Sequence, residues 1–257
     1  MNEIQAAKEI MAKIEAKVYE VYIVGGFVRD NVMNIESDDV DISTNMPMDE
    51  MEKEFTTYDI GESKDFGIVI VKHEGFDFEV AQFRADIYED KFNKGQGAST
   101  TEITNSFKAD SDRRDFTINA MGMKANGEIV DFHGGKSDMD AKIIRAIGNP
   151  EDRFAEDYVR MFRAIRFAAR LDFAIEEETY AAIKKFAKRS VNVASERIKK
   201  EFYKMASQDG ETFAKAIDMM VDTGIMDYII PEFTNMKGFK QSEKHHPEGA
   251  QVRRIQQ

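Results

Sequence analysis

The chain has 257 residues, and its 48 acidic against 36 basic side chains give a formal net charge of −12. That balance excludes a non-specific nucleic-acid coat, which needs an overall basic surface, but it permits a local basic face. Cysteine is absent, which removes disulfides, thiolate metal sites and thiol nucleophiles and suits a reducing cytoplasm.

The start, "EIQAAKEIMAKIEAKV", alternates charge with apolar residues at helical spacing and predicts a helix, neither a signal nor a transit peptide. "EVYIVGG" predicts a short strand ending in two glycines, "FVRDNVM" a helix, "DVDIST" a strand and "MPMDEMEKEF" a helix with Pro47 near its start. "GIVIVKHEG" and "FDFEVAQF" flank Glu74-Gly75 as a β-hairpin. "YEDKFNKGQGASTTEITNS" is polar and predicts a mobile loop; "SDRRDFTINAMGM" predicts a short helix, and "GEIVDFHGG" returns to strand and turn. From about Pro150 onward strand signals nearly vanish, and "PEDRFAEDYVRMFRAIRFAARL" reads as a single helical period followed by further helices. No repeat of fixed period is present, and no apolar run approaches a membrane span. The expected architecture is α+β, a head with a small mixed sheet followed by an all-helical neck and body. The expected divisions are 1–145, 146–205 and 206–257.

Chemistry concentrates in the first half. Asp39 and Asp41 lie two apart on the expected strand, so their side chains leave one face while Val40 faces the core. Asp38 adds to the same crowd of acid. On "FDFEVAQF" the same alternation puts Phe76, Phe78 and Val80 on one face and Glu79 on the other, where it can join the aspartates across a sheet. Hard oxygen donors without histidine or cysteine suit Mg²⁺, especially with substrate phosphates completing the coordination. A two-ion site for phosphoryl transfer uses such a set. A bare D-x-D is common in solvated turns, but Gly25-Gly26 between strand and helix also lets a phosphate approach backbone N–H groups. Arg29, one turn further on, is expected to reach a triphosphate.

"YIVGGFVRD…DVDIST" resembles the signature of polymerase-β-like nucleotidyltransferases, specifically class II tRNA CCA-adding enzymes and the related bacterial poly(A) polymerases. The resemblance continues in order through "EVAQFRAD", "RRDFTINAM", "DFHGGKSDMDAKIIRAIGNPEDRFAEDYVRMFRAIRFAARL" and "ASERIKKE", covering roughly residues 20 to 201. It implies a nucleotidyltransferase head, two Mg²⁺ ions, the substrates CTP and ATP, and the tRNA 3′ end as acceptor. Arg113, Arg114 and Asp115 offer donors for phosphates and an acceptor for ribose hydroxyls, and Asn119 is expected on the same helix face. The resemblance implies that this motif selects ribonucleotides.

In "EDYVR", Asp157 and Arg160 are three apart and are expected on one helix face. A carboxylate only accepts hydrogen bonds and a guanidinium only donates. Together they match the amine and unprotonated ring nitrogen that adenine and cytosine both present, and they mismatch guanine and uracil. Buried mismatches of this kind discriminate strongly. The resemblance implies that this pair is a protein template for the base. Arg160, Arg163, Arg166 and Arg170 fall on one side of the same helix, and "RIKKEFYK", with Arg197, Lys199 and Lys200, adds a second cationic cluster. Both are candidates for nucleotide and RNA phosphates.

Three departures stand out. The chain ends soon after "KHHPEGAQVRRIQQ", without the further helical domains of the family, so His245 and His246 read as tail residues. "YEDKFNKGQGAST" replaces a more basic, proline-containing loop. Ser111 stands where relatives carry an apolar residue. The sequence therefore leaves five readings open: CCA addition, poly(A) synthesis, a CC- or A-adding half-enzyme, a truncated tRNA-binding module without turnover, and nucleotide transfer to a small-molecule hydroxyl, which would not need the basic helix.

Overall fold

The structure is a computed structural model and describes residues 2–37, 39–58, 66–87 and 100–235. Asp38, most of the polar loop, and His245 and His246 lie outside the described residues.

Helix α1 (Glu3–Ala16) starts on a capping box: Asn2 Oδ1 accepts from the Gln5 N–H at 3.0 Å, and Gln5 Oε1 accepts from the Asn2 N–H at 3.4 Å. Its Ala6, Ala7, Ile10, Met11 and Ile14 stripe is buried. Then follow β1 (Val21–Val24), α2 (Gly26–Val32), β2 (Asp41–Thr44), α3 (Met48–Glu54), β3 (Thr56–Tyr58), β4 (Ile68–His73) and β5 (Phe76–Gln82). The β4–β5 hairpin turns at Glu74 and Gly75, whose φ values of 51° and 85° suit a two-residue primed turn. β6 (Arg84–Ile87), β7 (Thr100–Ile103), α4 (Phe107–Asp112), β8 (Gly122–Met123), β9 (Ile129–Val130), α5 (Gly135–Asp140) and β10 (Ile143–Ile144) complete the head.

Among the described residues seven strands form one sheet, ordered β3-β4-β5-β2-β1-β8-β9. β2 and β5 run parallel, and the other neighbours are antiparallel. One sheet face, with Ile23, Ile42, Val69, Val71, Phe78 and Val80, is part of the core that also contains the α1 stripe. Each such large side chain contributes about 1.5–3 kcal/mol on burial. The period of two that buries Phe78 and Val80 sends Glu79 to the opposite face.

The helical part comprises α6 (Pro150–Glu156), α7 (Val159–Leu171), α8 (Glu177–Phe186), α9 (Ser195–Ala206), α10 (Gly210–Asp222), α11 (Met226–Ile229) and α12 (Pro231–Asn235). The short strand β11 (Ala174–Ile175) pairs in parallel with β10 and ties this part to the head. The α+β architecture expected from the sequence is the one observed. No helix among the described residues is long and apolar enough to cross a membrane.

Four local expectations need correction. Strand β2 begins at Asp41, so Asp39 precedes it, although buried Val40 preserves the alternation. The end of the polar loop is not loop: Thr100–Ile103 pairs with Arg84–Ile87. "RRDFTINAM" is not one helix, because α4 stops at Asp112 and only Thr117–Asn119 forms a 3₁₀ turn. There the Asp115 carboxylate accepts from the Phe116 N–H at 2.9 Å, and Phe116 bridges to Ala146, both competing with helical bonding. Finally, the long period after Pro150 breaks at Asp157, whose backbone is extended (φ −153°, ψ 106°). Its side chain accepts from the Val159 N–H at 3.1 Å and so opens α7 as a new helix.

Candidate active site

The strand-to-helix turn after β1 carries Gly25 at φ +74°, ψ −139°, which side-chain-bearing residues rarely adopt. A Cβ there would lie 3.4 Å from Asp41 Oδ2 and 3.8 Å from Arg114 Nη1, so the bare backbone sits between an acid and a cation. The turn opens onto a cavity of about 700 Å³. Asp39, Asp41 and Glu79 all line it, as the alternation on the two strands requires. Ile42 pairs with Val80 across parallel β2 and β5, which puts Asp41 and Glu79 one step back on adjacent strands. Burial, then Asp39, then Glu79 push the Asp41 carboxyl up to about 7, with Arg114 opposing them. Such an oxygen-only, mutually repelling set fits a hard divalent cation. These three are not drawn as close together as Glu9, His73 and Glu74, whose ligand atoms lie within 4.8 Å of one another. That second cluster is partly exposed, lies outside the cavity and contains a 2.8 Å His73–Glu9 pair.

The opposite cavity wall is cationic. Asp115 is buried and accepts from Arg163 Nε at 2.6 Å and Asn119 Nδ2 at 3.2 Å. Burial raises its pKa, but the Arg163 charge and hydrogen bonds outweigh this and hold it below the usual carboxylate range. Asn119 thus meets Asp115 as expected, through a turn rather than along a helix face. Asn119 Oδ1 accepts from Arg29 Nη1 at 2.9 Å. Arg29 Nε also donates to Asp30 at 2.7 Å, and Arg170 Nη2 donates to the other Asp30 oxygen at 3.2 Å. These bonds chain α2 to α7 around Phe167, whose ring lies 5.2, 5.6 and 4.1 Å from the guanidinium carbons of Arg29, Arg163 and Arg166. Arg29 is only 2% exposed. It lines the cavity wall, but its guanidinium is bonded to Asp30 and Asn119, so the sequence-based picture of a free triphosphate arm gives way to a buried clamp.

Asp157 and Arg160 both face the cavity, from opposite sides of the α6–α7 break rather than from one helix face. Arg197 of α9 forks onto Asp157 with bonds of 3.0 and 2.6 Å. Arg160 donates to Glu156 at 2.5 Å, to the Arg153 carbonyl at 3.0 Å and to the Arg113 carbonyl at 3.1 Å. The arginine stripe of α7 is therefore not a solvated basic face. Arg163 is bonded to Asp115, Arg166 to Glu201 at 2.6 Å and Arg170 to Asp30. A groove of about 610 Å³, lined by Lys199, Lys200, Tyr203 and Lys204, adjoins the cavity and shares Arg166, Arg170, Lys200 and Lys204 with it.

Residues passed over in the sequence also shape the cavity. Arg84 and Asp86 line it, and Asp110, fully buried in α4, holds both Arg113 and Arg114. Their only sequence signal was membership in the matched segments "EVAQFRAD" and "DSDRRDFT". Ser111, the polar departure, is buried but donates to the Ala120 carbonyl at 2.9 Å, so its hydroxyl is satisfied.

A mixed sheet carrying acidic residues beside a glycine turn, facing an arginine-rich helical wall, defines a polymerase-β-like nucleotidyltransferase head. Residues 21–145 match the poly A polymerase head domain, and residues 172–237 match the probable RNA and SrmB-binding site of polymerase A. The chain is 39% identical over 241 residues to the CCA-adding enzyme of Bacillus velezensis, covering 93% of this chain and 58% of that protein. The Bacillus stearothermophilus CCA-adding enzyme in complex with CTP superimposes with a TM-score of 0.79 at 33% identity, covering 89% of this chain and 54% of the other. The Thermotoga maritima CCA-adding enzyme complexed with tRNA(CCA) gives a TM-score of 0.70 at 26% identity, with coverages of 88% and 52%. The chain belongs to the family of class II CCA-adding enzymes and poly(A) polymerases, and it spans about half the length of the relatives it matches.

Proposed function

We propose that this protein adds CMP and AMP, taken from CTP and ATP, to the 3′ end of tRNA in the cytoplasm, building the CCA terminus without a nucleic-acid template. The observation that supports the reading is a single cavity lined at once by Asp39, Asp41 and Glu79, by Arg113 and Arg114, and by Asp157 and Arg160. The division into head (1–145), neck (146–205) and partial body (206–257) belongs to this proposal. So does the role of each residue.

Asp39, Asp41 and Glu79 would hold two Mg²⁺ ions, which supply acidification of the attacking hydroxyl and charge neutralisation at the leaving group. The RNA 3′-oxygen forms a bond to the α-phosphorus, the bond from that phosphorus to the bridging oxygen breaks, and pyrophosphate leaves with both electrons. The hydroxyl proton passes to solvent. Gly25 and Gly26 let the phosphates approach the backbone, while Arg113 and Arg114 balance their charge. Asp115, held by Arg163 and Asn119, offers its carboxylate to the ribose. Asp157 accepts from the exocyclic amine of cytosine or adenine, and Arg160 donates to the neighbouring ring nitrogen. Arg197 steadies the Asp157 carboxylate, whose remaining lone pairs accept from the base, while a nucleotide competes with Glu156 for Arg160.

The test is incorporation of labelled CTP and ATP, separately and together, into a tRNA transcript lacking CCA, with Mg²⁺. Addition of C, C and A in that order is expected. An A-only ladder would replace the reading with poly(A) synthesis, addition of only CC or only A with a half-enzyme, and binding without addition with an RNA-binding module.

A further inference from the structure

We propose that Arg84 is a further phosphate-binding residue, and that Asp110 is the positioning residue that holds it with Arg113 and Arg114 toward the pyrophosphate end of the incoming nucleotide. This rests on the nucleotidyltransferase reading above. Asp110 has no exposed surface, and its two oxygens gather groups from two elements. Oδ1 accepts from Arg113 Nε at 2.9 Å and from the Arg84 backbone N–H at 3.1 Å, and Oδ2 accepts from Arg114 Nη2 at 3.1 Å. The carboxylate thus fixes where the β6 strand meets the end of α4. It sets the starting point of the Arg84 side chain as well as the direction of the other two.

Asp110 is shared between two guanidinium groups while a third, that of Arg84, enters the same cavity beside Asp86. The cluster is not self-sufficient. Among the described residues the buried Nε atoms of Arg84 and Arg114 have no hydrogen-bond partner, and one Arg84 Nη donates to the Phe66 carbonyl at 3.3 Å. Burial and the neighbouring Arg113 charge both disfavour the Arg84 cation. An arriving polyanion reverses that penalty, and guanidinium groups match phosphate oxygens in charge and in fork geometry. Position selects the anion. Arg114 Nη1 and Asp41 Oδ2 flank the same bare Gly25 backbone, so the cationic cluster begins where the acidic wall ends. A nucleotide whose α-phosphorus lies at the acids extends its outer phosphates toward the cations.

The experiment measures equilibrium binding of pyrophosphate, CTP, cytidine and a tRNA transcript lacking CCA to the full chain, in Mg²⁺. Arg84→Gln is expected to weaken pyrophosphate and CTP roughly ten-fold or more, the loss of a charge-assisted bond, and to leave cytidine and the transcript unchanged. Asp110→Asn is expected to lose at least as much, in the same pattern. Unchanged pyrophosphate affinity in Arg84→Gln, or weaker transcript binding with pyrophosphate intact, overturns the assignment of Arg84. A parallel loss of cytidine binding marks a merely structural role and overturns it too. Should Asp110→Asn fail to fold, the charge-balanced pair Asp110→Asn with Arg113→Gln is compared with Arg113→Gln alone, and equal pyrophosphate affinities overturn the role of Asp110. Wild-type protein that binds pyrophosphate but incorporates no nucleotide would sink the function proposed above while leaving Arg84 standing.

Discussion

Asp41 illustrates how a residue proposed to hold a metal sets its own cost. Its carboxyl is pushed from 3.8 to about 7 by burial and by Asp39 and Glu79, so the folded chain without metal resists ionising it. A carboxyl raised in the folded state contributes stability at low pH, and that contribution is lost as pH rises through about 7. Asp41→Asn removes this penalty. In the absence of divalent ions the variant is expected to melt several degrees above wild type at pH 8, with the difference disappearing by pH 4, where Asp41 is protonated. Nucleotide incorporation by the same variant should fall by orders of magnitude. Thermal melts at the two pH values check the first claim, and a variant less stable than wild type at pH 8 refutes it. The acid cluster was legible because period-two alternation exposes Asp39, Asp41 and Glu79 whenever Val40, Phe78 and Val80 are buried. Arg29 was not legible in the same way. Its partner Asn119 lies 90 positions away, and no local pattern announces that a guanidinium will be buried.

At the scale of elements, the break between α6 and α7 matters most. A continuous helix would have carried Asp157 and Arg160 on one face, as the spacing suggested. Instead Asp157 leaves helical geometry and is steered by Arg197 from α9, across a separation of 40 residues. The sequence contained the helical period on both sides but not the interruption, since an aspartate within such a period is compatible with either outcome. Arg197, grouped in the sequence with lysines expected to contact RNA, is placed to hold the carboxylate proposed as the base template. Arg197→Met is therefore expected to leave Asp157 misdirected. Its CTP and ATP KM values should rise about ten-fold, the loss of a bidentate charge pair, and discrimination against GTP and UTP should narrow. An Arg197 that instead contacts only RNA would raise the transcript KM and leave base selection intact. Competition assays with the four nucleotides separate the two outcomes.

Across the whole molecule, a net charge of −12 coexists with a cationic path that runs from buried Arg166 out to the exposed lysines of α9. Arg163, Arg166 and Arg170 each meet a carboxylate, so in the stripe read from the sequence as a basic face Arg163 and Arg170 clamp the head to α7 while Arg166 ties α7 to α9. Sequence spacing identifies which side chains share a helix face, whereas tertiary packing decides whether water or acid lies opposite. The lysines of α9 are different. Lys199 lines only the outer groove and lies 5.7 Å from the Tyr203 ring centroid, while Lys200 and Lys204 continue the groove into the cavity. A strand whose 3′ end reaches the acids would leave along this groove. If the groove carries RNA phosphates, affinity for the transcript falls with salt, and each contact adds roughly 0.7–0.9 to the slope of log K against log salt. Lys199→Gln should reduce that slope by about one such step, and CTP affinity measured without RNA should stay constant. A slope unchanged by the substitution would place the RNA on another face, and the negative remainder of the surface would then have to be explained as its boundary.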